Sequence, residues 1–268
     1  MTVRDPAVAG QFYPASPAEI ESAVKRLVDD DREKEKVIGA MSPHAGWQFS
    51  GRGAGMLFSR VEIPGTVVVL CPNHRGMGSD VSIQSEGSWR MPTGNVDIDD
   101  ELAGAIRARA NFVQDDPAAH AAEHSLEVQL PIIRHFRPDF RLVPLSLGRV
   151  SYQNCEELGK VIAEAVAETG KEVLVVASSD MTHFESAEAA KKKDDMALKK
   201  MLELDPKGLY DTVSANRITM CGFIPATIML VYSIQQGARR AEIVDYRNSG
   251  DVTGDYHDVV AYASVIVK

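Results

Sequence analysis

The chain has 268 residues, 29 basic and 38 acidic, for a formal charge of −9 at pH 7 with histidine neutral. Hydrophobic residues make up 44% and charged residues 25%, a mix that excludes a disordered chain. The acidic balance argues against a phosphate-tracking nucleic-acid binder, and no stretch nears the ~20 uninterrupted apolar residues of a membrane span. The length allows one large domain or two small ones. No repeat, linker or low-complexity tract divides it, so residues 1–268 read as a single domain. Three cysteines, Cys71, Cys155 and Cys221, have no short pairing, which points to a reducing compartment. The first residues lack the apolar stretch of a signal peptide, and the expected location is the cytoplasm.

In chain order, Pro6, Gly10 and Pro14 mark an irregular entry segment. Ser16 then suits an N-cap and Pro17 a first helical position. Ile20, Val24, Leu27 and Val28 share one face of the helix that follows. The charged run from Asp29 to Lys36 reads as a solvated link. VIGAMS, from Val37, predicts a buried strand, with a helix over 51–59. TVVVLCP, from Thr66, is the clearest strand, and VSIQ, from Val81, a short one. Helices are expected over 97–110 and over 118–136 on both sides of Pro131. LVPLSLG, from Leu142, is a strand, and 156–168 a helix stopped by Gly170. VLVVASSD, from Val173, is another buried strand. Lysine-rich helices are expected over 187–204 and 206–215, an apolar helix over 224–236, a turn at Asn248–Asp251, and strands near Ile243 and over 259–267. Continuous Val/Ile/Leu strands alternating with helices predict an α/β fold with a largely buried sheet flanked by helices.

The residues that carry chemistry fall at predicted strand ends. His44 follows one strand, His74 a second, and Asp180 with His183 a third. Ligands of open α/β folds sit at the carboxyl ends of strands. Each histidine alone reads as a surface or capping residue; three at equivalent positions point to a shared site. The loops Pro43-His44-Ala45-Gly46 and Pro72-Asn73-His74-Arg75-Gly76 place small residues beside the imidazoles and permit close approach. Trp47, beside the first loop, is placed to narrow the pocket.

His120, Glu123, His124 and Glu127 form a second cluster. On a helix, His120 and His124 are i,i+4 neighbours, and His124 and Glu127 are i,i+3 neighbours. His124 and Glu127 are candidates to line a site or orient a ligand, and His120 is expected to be exposed. HAAEH is not the HExxH of metalloproteases, because its Glu adjoins the second His. Cys221, before an apolar helix, reads as a buried small hydrophobe, a metal ligand or a nucleophile. No phosphate-loop spacing is present: Gly51-Arg52-Gly53-Ala54-Gly55 fits neither GxGxxG nor GxxxxGK[ST].

Taken together, these stretches resemble the Memo family (mediator of cell motility), whose bacterial and archaeal members are described as protein B of the AmmeMemoRadiSam system. The matching stretches are Pro6–Pro14, Pro43-His44-Ala45-Gly46, Pro72-Asn73-His74, Glu123-His124-Ser125-Leu126-Glu127, Ser178-Ser179-Asp180, Cys221-Gly222 and Asp251–Tyr256. Their number and order make the match specific. The resemblance implies a mixed-sheet fold similar to LigB-type class III extradiol dioxygenases, which are non-haem Fe(II) enzymes. It implies a metal site at His44, His74 and Cys221, with Cys221 where the dioxygenases place a carboxylate. It also implies a polar pair, Asp180 and His183, with His183 as general base, and His124 as a pocket histidine. A His₂Cys set admits copper or zinc as well as Fe(II).

Three functions follow as expectations. The first is a metal-dependent, dioxygenase-like oxidoreductase in which His183 moves protons and Asp180 orients it. The second is a non-catalytic module that reuses the pocket for a peptide or protein, with Arg75 free to pair an anion. The third is a hydrolase or lyase with Cys221 as nucleophile and His183 as base. The substrate is an unnamed small molecule or a peptide. The resemblance adds a functional association with a radical-SAM protein and an AMMECR-type protein.

Overall fold

The computed structural model describes residues 2–268. After strand β1 (Val3–Arg4), the Ser16 hydroxyl accepts from the Glu19 amide and starts helix α1 (Pro17–Leu27). Strand β2 (Gly39–Ser42) leads through the His44 loop into α2 (Trp47–Arg60). Strand β3 (Thr66–Pro72) is buried at every residue. Short strands β4 (Val81–Ile83), β5 (Ser88–Trp89) and β6 (Val96–Asp97) precede α3 (Asp100–Arg109), which the Asp99 carboxylate caps at the Leu102 amide. Strand β7 (Gln114–Asp115) opens a long loop that ends in α4 (Leu130–Phe136). Then come β8 (Arg141–Leu147), α5 (Tyr152–Thr169), β9 (Val173–Ser178), β10 (His183–Glu185), α6 (Ala187–Leu202) and α7 (Pro206–Ala215). Last are α8 (Phe223–Gln235), β11 (Ala241–Asn248), the single turn α9 (Gly250–Thr253) and β12 (Val259–Val267).

The main sheet runs β10-β12-β2-β9-β3-β8-β4-β7, and β11 pairs with β12 as well. Its centre is parallel: β2 on β9, β9 on β3, and β3 on β8. The flanks are antiparallel, β12 on β2 and β4 on β8. The expected mixed α/β sheet, buried and flanked by helices, is therefore present. Valine-rich β3 and β9 form the centre because continuous β-branched strands suit a sheet covered on both faces. Helices α1, α2 and α4 pack on one another, and α5 and α8 pack together, with α8 against β2, β3 and β9. Among the described residues, no helix is long and apolar enough to cross a membrane.

Several boundaries shift. Helix α2 begins at Trp47, four residues early, and the turn at Asn248–Asp251 winds on into α9. Gly170 does end α5, in the left-handed conformation with φ 64°. The expected helix over 118–136 is the main correction. Only single 3-10 turns form at Pro117–Ala119 and Glu127–Gln129, and α4 starts at Leu130. The cause is competition for backbone groups. A helix would use the carbonyls of His120 and Glu123 for the amides four residues on. The Arg4 guanidinium takes both, at 2.7 Å each. The Glu123 carboxylate meanwhile accepts from the Ser125 amide at 2.9 Å, the local side-chain bonding that draws a chain out of helix.

Helix α2 crosses the end of α1 at Gly55, where an added Cβ would lie 2.2 Å from the Leu27 carbonyl oxygen. Gly55→Ala therefore loses stability by about 1–3 kcal/mol in urea unfolding, although alanine is the better helix former by ~1 kcal/mol. A gain in stability would show that the two helices do not meet this closely.

Candidate metal centre

In the parallel centre of the sheet, Ser42 stands opposite Ser178 and Leu70 opposite Ala177. The loops that leave β2, β3 and β9 therefore emerge side by side. They carry His44, His74 and Asp180, while Cys221 stands just before α8. Ligand atoms of His44, His74 and Cys221 all lie within 4.8 Å of one another. The Cys221 Sγ is 3.2 Å from His44 Nε2, and the two imidazole centroids are 5.2 Å apart.

Both rings are held from behind. The Ser178 hydroxyl donates its one hydrogen to the Ser125 carbonyl at 2.7 Å. It can therefore only accept from His44 Nδ1, 2.8 Å away, so Nδ1 carries the proton and Nε2 keeps its lone pair. Glu123 does the same for His74. Its carboxylate accepts from His74 Nδ1 at 2.9 Å and from the His74 amide at 2.7 Å. It also takes the Ser125 hydroxyl at 2.6 Å. Burial pushes the Glu123 carboxyl up, but the bonds from His74 and Ser125 outweigh it and hold the group well below the usual carboxylate range. Burial, with His74 and His124 nearby, holds the His44 imidazole well below its ordinary value, and thus neutral. Two imidazoles, each engaged from behind at Nδ1, beside a thiol form a donor set suited to a soft or borderline divalent metal.

Cys221 reaches this point because Gly222 follows it. A Cβ on Gly222 would stand 2.3 Å from the Ser178 carbonyl oxygen and 2.4 Å from the Ser179 Cβ. The Asp180 amide points at the Cys221 sulfur at 3.3 Å. Burial, then the Asp180 charge, pushes the thiol pKa well up. The Asp180 carboxylate accepts from the His44 amide at 2.7 Å, and burial raises its pKa to about 6.

His124 belongs to the same cluster, its ring 4.8 Å from His74 and 5.6 Å from His44. Burial lowers it to about 4, so it is neutral near pH 7. His183 starts β10, half-buried, with its amide on the Thr219 hydroxyl at 2.7 Å and Nδ1 on the Thr219 carbonyl at 2.9 Å. A carbonyl only accepts, so Nδ1 holds the proton and Nε2 is the free base. His74 and Cys221 open onto a cavity of 1010 Å³ whose walls include Arg75, Arg149, Tyr210 and Phe223.

Three residues lie elsewhere than expected. Glu127 faces away from the cluster and accepts from Arg4, the Ala7 and Val8 amides and the Tyr13 hydroxyl. Trp47 donates from Nε1 to the Val128 carbonyl and lines a separate groove beside Phe12 and Tyr13, so it does not narrow the pocket. His120 is fully buried, its ring against Trp89 and neither ring nitrogen hydrogen-bonded. Two contributors have no role that the sequence assigns: Glu123, one acid of the second cluster, and Thr219, which carries no local signal. Burial, then Arg4, lowers His120 to about 4 against 6.5 in a free chain. The unfolded state thus binds the extra proton between those values, and stability falls as pH drops from ~6.5 to ~4, by about 3 kcal/mol. His120→Leu should flatten that part of the pH profile of urea unfolding; an unaltered slope would show that His120 does not set it.

The chain matches the family model for Memo-like proteins over residues 4–266. It is 41% identical to a MEMO1 family protein of Methanosarcina mazei, which covers 100% of both chains. It is also 41% identical to a MEMO1 family protein of Aquifex aeolicus over 99% of each chain. Among solved structures it is similar to uncharacterized protein JW3007 from Escherichia coli K12, with a TM-score of 0.56 and 14% identity. That match covers 87% of this chain and 100% of the other, and is a likeness of fold. Matched from end to end by the family model and by full-length relatives, the chain belongs to the Memo-like family.

Proposed function

We propose that His44, His74 and Cys221 hold a metal and that the protein is a dioxygenase-like oxidoreductase. Fe(II) is the metal put forward, and copper and zinc are the alternatives the sulfur donor admits. The carrying observation is the convergence of two imidazoles, each with Nδ1 engaged from behind, on one thiol. The fit is chemical as well as spatial, since two imidazole nitrogens and a sulfur are a soft-to-borderline donor set. When bound, the metal supplies a redox couple and Lewis acidity.

The remaining roles fall to the chain itself. Glu123 and Ser178 orient the two imidazoles and raise their basicity. His183 accepts or returns a proton at Nε2, because Nδ1 is engaged by the Thr219 carbonyl. Asp180, with its pKa near 6, holds the His44 loop through the backbone amide. His124 presents a neutral imidazole toward the same space. Tyr210, Phe223 and Ile224 give the cavity an apolar wall against which a substrate can be oriented.

A second reading, a non-catalytic pocket for a peptide, has one observation in its favour. Arg75 and Arg149 line the cavity, and neither is in an ion pair among the described residues. Metal analysis separates the two readings. Protein purified without oxygen or chelators should carry close to one iron per chain. Cys221→Ser, His44→Ala and His74→Ala should each lose the metal while keeping the native circular-dichroism spectrum. Stoichiometric metal in any two variants would overturn the ligand assignment. A wild-type chain that takes up none of Fe(II), Cu(I) or Zn(II) would favour the peptide pocket.

A further inference from the structure

We propose that the N-terminal strap, residues 4–13, is thermodynamically coupled to the metal centre, with Arg4 as the positioning residue. The inference rests on His74 being a ligand, as above. Arg4 is only 6% exposed, and its guanidinium lies 4.0 Å over the Trp89 ring. Apart from a longer bond from Nη1 to the Asp5 carbonyl at 3.3 Å, its donors go to one loop. Nε donates to the His120 carbonyl and Nη2 to the Glu123 carbonyl, each at 2.7 Å. Nη1 donates to Glu127 Oε2 at 2.8 Å. The bond to the Glu123 carbonyl fixes the backbone of the residue whose carboxylate holds both N–H groups of His74. A planar fork makes all three bonds at once; an ammonium on a flexible stem cannot.

The strap reaches the site by a second route. The Phe12 ring is 4.7 Å from His124, and the Phe12 carbonyl accepts from the Trp47 amide at 2.8 Å, where the His44 loop enters α2. Between these two points the strap is pinned by Glu127, which takes the Ala7 and Val8 amides and the Tyr13 hydroxyl. Lifting the strap therefore frees the loops of His74, His124 and His44 together. If an ordered strap favours metal, then metal must favour an ordered strap by the same factor. A strap that opens locally and only stabilises the fold would not respond to metal, whereas amides that exchange through global unfolding slow with any ligand of the folded state.

The test is hydrogen exchange on the whole chain with and without Zn(II), joined to Zn(II) affinities of two variants. Zinc is redox-inert and suits the donor set. Bound zinc should slow exchange at those amides of residues 7–12 that open locally, below the free energy of global unfolding. Arg4→Lys should weaken zinc binding by about tenfold, the low end for groups behind a metal ligand. Gly55→Ala, destabilised but remote, should bind as wild type does. If wild type binds zinc and strap exchange is unchanged, or if Arg4→Lys keeps full affinity, the coupling is overturned. If wild type binds Fe(II) without oxygen but no zinc, the same two readouts are taken with Fe(II); if it binds none of Fe(II), Cu(I) or Zn(II), the metal reading of the site fails first, and the coupling with it.

Discussion

A carboxylate that water cannot reach must have its oxygens filled by hydrogen bonds, and Glu123 answers that demand with the site itself. The groups that satisfy it are both N–H groups of His74 and both donors of Ser125. Ser125 in turn offers its carbonyl to Ser178, which orients His44. One buried charge thus organises two imidazoles from different strands. The loop around it gives up helical structure to do so, and Arg4 supplies the donors that replace the missing backbone bonds.

The same logic runs through the floor of the site. Gln129 accepts from Ser42 and donates to the Pro43 carbonyl and to Ser178. Asp194 accepts from the Thr182 amide and hydroxyl and from the Tyr246 hydroxyl, and so holds the loop that ends in His183. A fully satisfied buried network of this kind is rigid, because any rotation leaves a donor or acceptor unpaired. Rigid strand ends are what allow two rings and a thiol to stand within 4.8 Å of one another without a covalent link.

The parts of the molecule legible in its residues are those set by nearby neighbours. Continuous valines in β3 and β9, the Ser16-Pro17 start and the Gly170 stop all express local preferences. His44, His74 and Asp180 were legible as a group because parallel strands deliver their ends to one edge. Cys221 could not be joined to them by spacing, since it arrives from a different loop through the close approach at Gly222; the family resemblance alone pointed there. The stretch 118–136 has helical spacing yet is mostly not helix, because the spacing carries nothing of Arg4, more than a hundred residues away. His120 and Glu127 follow from that: once the loop is unwound, one is sealed under Trp89 and the other turns to the N-terminal strap. Thr219 was invisible because its carbonyl, which every residue has, does the orienting.

Of the three cysteines, only Cys221 is not fully buried. Cys71 is fixed inside β3 and Cys155 inside α5, neither free to swing toward it. A sulfenic acid formed at Cys221 therefore has no resolving thiol within the chain. Its fate is decided by outside reductants or by further oxidation to forms that do not return. With burial holding Cys221 as the thiol, the return of any oxidised form would fall to reductants small enough to enter the cavity.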